Sequence, residues 1–344
     1  MNILELTFSE LADEFQKRYS KGEYHAAGVY REVFQKGNLD FGRVREFINS
    51  RELASRIATE LKFSPGKVIE EKKEGQLRKF ITRLRDGNKI ESVIIPMPTH
   101  YTLCVSSQAG CRMGCKFCQT GQLGFARNLS VEEITGQVYS AKFRFSLNVR
   151  NIVFMGMGEP FDNFDNVIQA IRVLNEQRGF DVALRYITIS TVGIIDGIQS
   201  LAKTGLKGIR LAISLNAPND IIRSKIMPTT RMASMKTLQK TLLEYPLLKK
   251  ETFFITYVLI KNINDSYEHA DELAAYLKPF RAKVNIIPHN PRSNSPFCSP
   301  SDGEVDQFCR WLVEQKLFVR KRSAKGQEIL AACGQLGQTL SANV

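Results

Sequence analysis

Three cysteines of the chain are spaced as Cys111-x3-Cys115-x2-Cys118, and a fourth, Cys104, stands seven residues before them. Cysteine thiolates are the usual ligands of iron–sulfur clusters, and three of them on a cube of four irons leave one iron open. A structural zinc ion would instead take four ligands, with Cys104 completing the set. The close triplet spacing favours the cube, a [4Fe–4S] cluster on Cys111, Cys115 and Cys118. The chain has seven cysteines in all. An odd number in a long chain without a secretory layout argues against a disulfide framework and for reduced thiols with metal or redox work.

An open iron has a chemical use. It can chelate the amino and carboxylate groups of S-adenosylmethionine (SAM), and one electron from the cluster then breaks the sulfonium C–S bond to leave a 5′-deoxyadenosyl radical. A second candidate feature is Phe154-Met-Gly-Met-Gly-Glu-Pro160. Its glycines at the end of an apolar run would let backbone approach a ligand, or would simply make a turn.

The elements that must position these residues follow from periodicity. The apolar run TLCVSS precedes the triplet, and the capping-box sequence Ser130-Val-Glu-Glu133 marks a helix start after it. The cysteines therefore sit on a loop at the carboxyl end of a strand, where α/β proteins build their sites. Short apolar runs at 151–156, 185–191, 208–215, 252–260 and 282–288 alternate with amphipathic stretches at 131–146, 162–178, 233–247 and 266–279. Strands alternating with helices predict a parallel sheet with right-handed crossovers. About six such units suit an incomplete (β/α)6 barrel better than a closed eight-stranded one. Residues 1–75 carry helical spacing and form a candidate accessory domain. Residues 76–100 read as a hairpin and linker turning at Asp86-Gly87-Asn88. The barrel would then fill 101–300, and 301–344 would be a C-terminal extension with a helix and a basic strand.

The 344 residues are 43% hydrophobic and 24% charged, the balance of a folded domain with a full core. No apolar run reaches the length of a membrane span. The N-terminus lacks the basic-then-apolar layout of a secretory signal, so the expected location is the cytoplasm. A formal charge of +13, from 48 basic and 35 acidic side chains, suggests a polyanionic partner, nucleic acid first. The basic stretches Arg78–Arg85, with Lys79 and Arg83, and Arg320-Lys-Arg322 would join the N-terminal helices in that contact. Salt-sensitive binding would follow.

Taken together, CRMGCKFC resembles the radical SAM signature. The longer series TLCVSSQAGCRMGCKFCQTGQLGFARNL, FMGMGEPFDN, ITISTVGI, AISLNAPND, NIIPHNP and AACGQL resembles the RlmN/Cfr family of adenosine methyltransferases, in the family's order, through residues 80 to 340. The resemblance implies methylation of an sp2 carbon of adenosine, C2 in preference to C8, in 23S ribosomal RNA and also in transfer RNA. Those carbons lie between ring nitrogens and are electron-poor, which is why a radical route is needed. By the same resemblance Cys333 takes a methyl group from one SAM. A radical from a second SAM removes hydrogen from that S-methyl, and the carbon radical adds to the base. Glu91 accepts a proton from the adduct, and Cys104 resolves it by forming a disulfide with Cys333. Gly158 and Glu159 fall beside the SAM amino group, and Ser190, Ser214, Leu215, Asn216 and Asn290 at other SAM contacts. A flavodoxin-type electron donor is implied, and the target base must be unstacked. Cys298 and Cys309 match no motif.

The chain departs from the family's pattern where Asn216 replaces the usual His, where His289 replaces an aromatic, and at Gly326-Gln-Glu-Ile329. These positions bear on the RNA target, as in a divergent paralogue. Two other readings stand beside the first: a radical SAM enzyme of the family with another reaction or target, and a zinc-knuckle RNA-binding protein. Glu91 has its own second reading, an exposed hairpin residue.

Overall fold

The structure is a computed structural model and describes residues 1–228, 233–290, 295–322, 325–337 and 340. Pro291, which closes the NIIPHNP motif, lies outside them. Three helices come first: α1 (Phe8–Tyr19), α2 (Glu23–Arg31) and α3 (Arg51–Glu60). A capping box of Thr7 and Glu10 starts α1, and its Leu11, Phe15 and Tyr19 point inward. These helices share one buried core with the sheet, in which Phe15 and Phe34 join Ile152, Ile187 and Leu211.

Three antiparallel strands follow, β1 (Lys67–Glu74), β2 (Leu77–Arg83) and β3 (Lys89–Pro96). Residues 67–74 were expected within the helical stretch that runs to 75, and they form a strand instead. KVIEEKKE is an edge strand at one end of the sheet. Its exposed charges are what keep such an edge from pairing with another chain, and they mask the strand signal.

The α/β part comprises β4 (Tyr101–Cys104), β5 (Gln108–Gly110), α4 (Gln119–Gln122), β6 (Phe125–Asn128), α5 (Val131–Tyr139), β7 (Val149–Phe154), α6 (Phe164–Asn175), β8 (Ile187–Thr191), α7 (Ile195–Lys203) and β9 (Arg210–Ser214). It continues through α8 (Asp220–Ile226), α9 (Met235–Glu244), β10 (Phe253–Leu259), α10 (Tyr267–Leu277), β11 (Ala282–Pro288), α11 (Asp302–Glu314) and β12 (Phe318–Lys321). The Ser130–Glu133 capping box starts α5 as the sequence predicts. That helix passes into a π turn at Ser140–Arg144 rather than running on to 146.

The main sheet has the order β1-β2-β3-β4-β7-β8-β9-β10-β11-β12. From β4 onward every pairing is parallel. The order ends on β1 at one side and β12 at the other, so the barrel is incomplete, as expected. Strand β10 shows the packing rule: Phe253, Ile255, Tyr257 and Leu259 are buried, and the residues between them are less so. Parallel strands put all their carboxyl ends on one rim. Cys104, Gly158, Ser190, Ser214 and Asn290 therefore come to the same rim from β4, β7, β8, β9 and β11.

Candidate active site

The triplet lies between β5 and α4. Backbone bonds fold its loop back on itself: the Cys111 N–H donates to the Gly124 carbonyl at 2.8 Å and the Cys118 N–H to the Cys115 carbonyl at 3.0 Å. Cys111 and Cys115 are buried, and Cys118 is half-buried. Burial raises the Cys111 thiol to about 12 and the Cys115 thiol well above its usual value, with the neighbouring triplet thiols adding to both shifts. Such thiols ionise only against a strong positive charge, which an iron cluster supplies on binding. Among the described residues no group of three or more His, Cys, Asp or Glu side chains is arranged to hold a metal ion. By donor chemistry the triplet still offers three thiols on one loop, two buried and one half-buried, the set that a cluster with an open iron takes, and the residues fit that group. Cys104 has another neighbour. Burial is the main cause that raises its thiol, and the next is Cys333.

Cys333 itself is exposed. Its thiol is nevertheless pushed up by the protein packed around it, opposed by the charge of Arg322 and reinforced by Cys118. The charge of Cys333 in turn pushes the Cys104 thiol up. The Cys333 segment is tied to the cluster loop, where the Gln119 N–H donates to the Gly334 carbonyl at 2.7 Å and the Thr120 hydroxyl to the Leu336 carbonyl at 2.7 Å. The Asn290 amide donates to the Cys333 carbonyl at 2.9 Å and accepts from Gln327 at 2.8 Å. Asn290 and Gln327, one read as a SAM contact and the other as a departure from the family, therefore meet each other beside the Cys333 segment.

Glu91 is no exposed hairpin residue. It is fully buried on β3, its carboxylate 3.4 Å from the Lys79 ammonium, and it accepts the Gly337 N–H at 3.0 Å. Lys79 is fully buried as well and cannot contact RNA as the basic stretch suggested. The sequence showed its charge and not its partner, because RKFITRLR reads equally as a solvated face. Arg83, Arg320 and Arg322 do lie on the surface. Arg78 pairs with Glu71 at 3.0 Å and Lys321 with Asp306 at 2.7 Å.

The 154–160 stretch closes against the triplet's own approach. Gly158 has φ +104°, and a Cβ there would lie 2.7 Å from the Gln108 backbone nitrogen. A Cβ at Gly156 would lie 2.7 Å from the Val105 carbonyl. Both glycines are thus required by close approach of the protein's own chain. Gln108 then couples the two loops, accepting the Glu159 N–H at 2.9 Å and donating to Asp162 at 2.9 Å. Asp162 also pairs with Arg112 at 2.8 Å.

Glu159 is buried and accepts the N–H groups of Val192 at 2.8 Å and Phe161 at 3.1 Å. Burial raises its carboxyl to about 7, against those bonds. Only the ionised form accepts hydrogen bonds from an amino group at both oxygens. A site that places the SAM amino group there should bind SAM about tenfold more tightly as pH rises from about 6 to about 8 through that value. Glu159→Gln should flatten the dependence. Equilibrium binding of SAM to the reconstituted protein across that range measures both.

Ser190 and Ser214 meet at 3.2 Å between their hydroxyl oxygens. Leu215 is buried. Asn216 has φ +58°, where Asn is tolerated better than most residues. Its side chain is engaged within the protein, donating to the Met227 sulfur at 3.3 Å and accepting the Val258 N–H at 3.0 Å. His289 is buried, with its ring 3.1 Å from the Ser295 hydroxyl and edge-on to Phe297. Arg223 went unnoticed in the sequence, one arginine among many. It is buried and donates to the Leu215 carbonyl at 3.2 Å and to the Val192 carbonyl, joining the turns after β9 and β8.

With this geometry in view, likeness to known proteins is informative. The profile of the Radical SAM superfamily matches residues 105–274. A probable dual-specificity RNA methyltransferase RlmN 1 from Protochlamydia amoebophila is 42% identical over 98% of this chain and 94% of its own. The dual-specificity RNA methyltransferase RlmN of Lawsonia intracellularis is 37% identical over 98% and 97%. The crystal structure of a radical SAM methyltransferase from Sphaerobacter thermophilus superposes with a TM-score of 0.90 at 34% identity, covering 98% of this chain and 99% of that one. With relatives this similar over nearly its whole length, the chain belongs to the RlmN family of radical SAM methyltransferases, whose cofactors are a [4Fe–4S] cluster and SAM.

Proposed function

We propose that this enzyme methylates an adenine carbon, C2 in preference to C8, of 23S ribosomal RNA and of transfer RNA, with Cys333 as methyl carrier. The single observation that carries the reading is the tie between the Cys333 segment and the cluster loop, where the Gln119 N–H donates to the Gly334 carbonyl and the Thr120 hydroxyl to the Leu336 carbonyl, both at 2.7 Å. The relatives' names, dual-specificity RNA methyltransferases, support the substrate class.

When bound on Cys111, Cys115 and Cys118, the cluster supplies the electron that turns SAM into a hydrogen-abstracting radical. The Cys333 sulfur takes the methyl of a first SAM, its thiol proton passes to solvent, and S-adenosylhomocysteine leaves. That S-methyl is the group from which hydrogen is removed and through which the enzyme joins the base. Glu91 takes a proton from the resulting adduct radical, and the one surplus electron leaves it for a one-electron acceptor of the flavodoxin class, which restores the aromatic ring. The Cys104 sulfur then bonds to the Cys333 sulfur as the bond from Cys333 to the transferred carbon breaks. The electron pair of that bond stays with the carbon, which takes a proton to become methyl. Glu159, Ser190, Ser214 and Asn290 line the rim for SAM, and Leu215 and Asn216 hold its β9 side. Exposed Arg83, Arg320 and Arg322 offer phosphate contacts, a cytoplasmic flavodoxin-type protein is the electron donor, and no membrane takes part.

Among the described residues no helix is long and apolar enough to cross a membrane. Incubation of reconstituted enzyme with SAM, a reductant and RNA lacking the mark, followed by mass spectrometry of the nucleosides, tests the proposal. Methyladenosine with the methyl on a ring carbon supports it, and unmodified adenosine in both RNAs sinks it.

A further inference from the structure

The Lys79–Glu91 pair has a second set of contacts that proton transfer alone does not require. The Lys79 ammonium lies 3.4 and 3.5 Å from the two Glu91 oxygens and donates to the Leu330 carbonyl at 3.1 Å. Glu91 accepts the Gly337 N–H at 3.0 Å. Leu330 and Gly337 flank Cys333, so this one ion pair on the β2–β3 hairpin grips the carrier segment at both ends. The end of β1 adds a third hold, since Glu74 accepts the N–H groups of Gly326 at 3.0 Å and Glu328 at 3.3 Å.

A wholly buried ion pair is a poor way merely to pin a loop. Each ion costs several kcal/mol to desolvate, and a well-packed apolar pair serves stability as well or better. The long N–O separations, against about 2.7–2.9 Å for a tight charge-assisted bond, show that the pair is not drawn up for maximum strength. A charge kept under those terms points to chemistry at the carboxylate.

We propose that Lys79 is a positioning residue that couples the base to the methyl carrier: its ammonium holds the Glu91 carboxyl group in place in a dry site, and through Leu330 it makes that group's position depend on docking of the Cys333 segment. This deepens the function proposed above and rests on it. Desolvation pulls the Lys79 ammonium toward neutrality and Glu91 opposes that pull.

The test uses reconstituted full-length enzyme with SAM, a reductant and substrate RNA. Lys79→Met and Lys79→Arg are compared with wild type for iron content, methylation of Cys333 by peptide mass, RNA covalently held on protein, and released methyladenosine. Methylation of Cys333 needs no base on the RNA adduct. The expected result is therefore that Lys79→Met still methylates Cys333, releases about 10²-fold less product, and accumulates protein–RNA adduct, as loss of a general base would. Lys79→Arg, which keeps a cation but moves it, should recover part of the release, and it serves as the reading if Lys79→Met holds no iron. Release of product at the wild-type rate per methylated Cys333 overturns the inference. So does loss of iron, Cys333 methylation and product together in both variants, the signature of a purely structural role. Wild-type enzyme that methylates no RNA would instead sink the proposed function itself.

Discussion

Cys104→Ala enzyme should stop after its first turnover, covalently joined to its RNA. Cys104 ends β4, buried, and Cys333 is the thiol whose charge acts on it. If that pair releases the product, removing the Cys104 sulfur leaves the earlier steps untouched. Methylation of Cys333, radical formation and addition to the base all precede it. The adduct then loses the thiol assigned to break it, and neither exposed Cys298 nor Cys309, half-buried on α11, is among the charges that act on Cys333. Alanine at position 104 removes one buried sulfur, a small loss for the core, so the fold should survive. A stoichiometric protein–RNA band on a denaturing gel, dissolved by ribonuclease, checks this. Unlinked protein with normal turnover would remove Cys104 from the mechanism. Cys298→Ala should behave as wild type throughout.

Cys118→Ala should abolish iron binding and, with it, both cleavage of SAM and all methyl transfer to RNA. Among the triplet this substitution disturbs packing least, because Cys118 is half-buried whereas Cys111 and Cys115 are buried. Its thiol is also the one of the triplet that acts on Cys333. A cluster with two protein ligands left has no comparable hold, so the effect should be near-complete rather than graded. Iron analysis, visible absorbance and the yield of 5′-deoxyadenosine measure it, with thermal unfolding as the check that the apoprotein remains folded. A zinc site with Cys104 as fourth ligand would instead lose zinc on Cys104→Ala as well.

These two effects rest on features the sequence displays openly. The triplet, the Gly-Glu turn after β7 and the AACGQL segment are each local, and a local pattern carries its chemistry in its spacing. The parallel sheet was legible for the same reason: apolar runs of strand length alternate with amphipathic stretches, and one period follows the other. What stayed hidden depends on contacts far apart in the chain. Lys79 reads as one more basic residue of a hairpin because its partners include Leu330, 251 residues away. Glu91 kept a second reading as an exposed hairpin residue because nothing near it announces that Gly337 will cover it. Strand β1 carries its charges outward at the sheet edge, and its few apolar residues give no alternation to detect. Asn216 looked like a change in a ligand contact. Its left-handed backbone and engaged side chain also give it a part in the turn after β9.

The central claim, that Cys333 carries the methyl and the base never meets SAM directly, is most directly tested with SAM bearing a fully deuterated methyl group. Enzyme purified with unmethylated Cys333 is given this SAM, a reductant and substrate RNA, and the masses of methyladenosine and 5′-deoxyadenosine are read. Carriage through Cys333 predicts a product methyl that has lost one deuterium and gained a hydrogen from solvent, with the missing deuterium on 5′-deoxyadenosine. A product methyl that keeps all its deuterium, beside unlabelled 5′-deoxyadenosine, would contradict it.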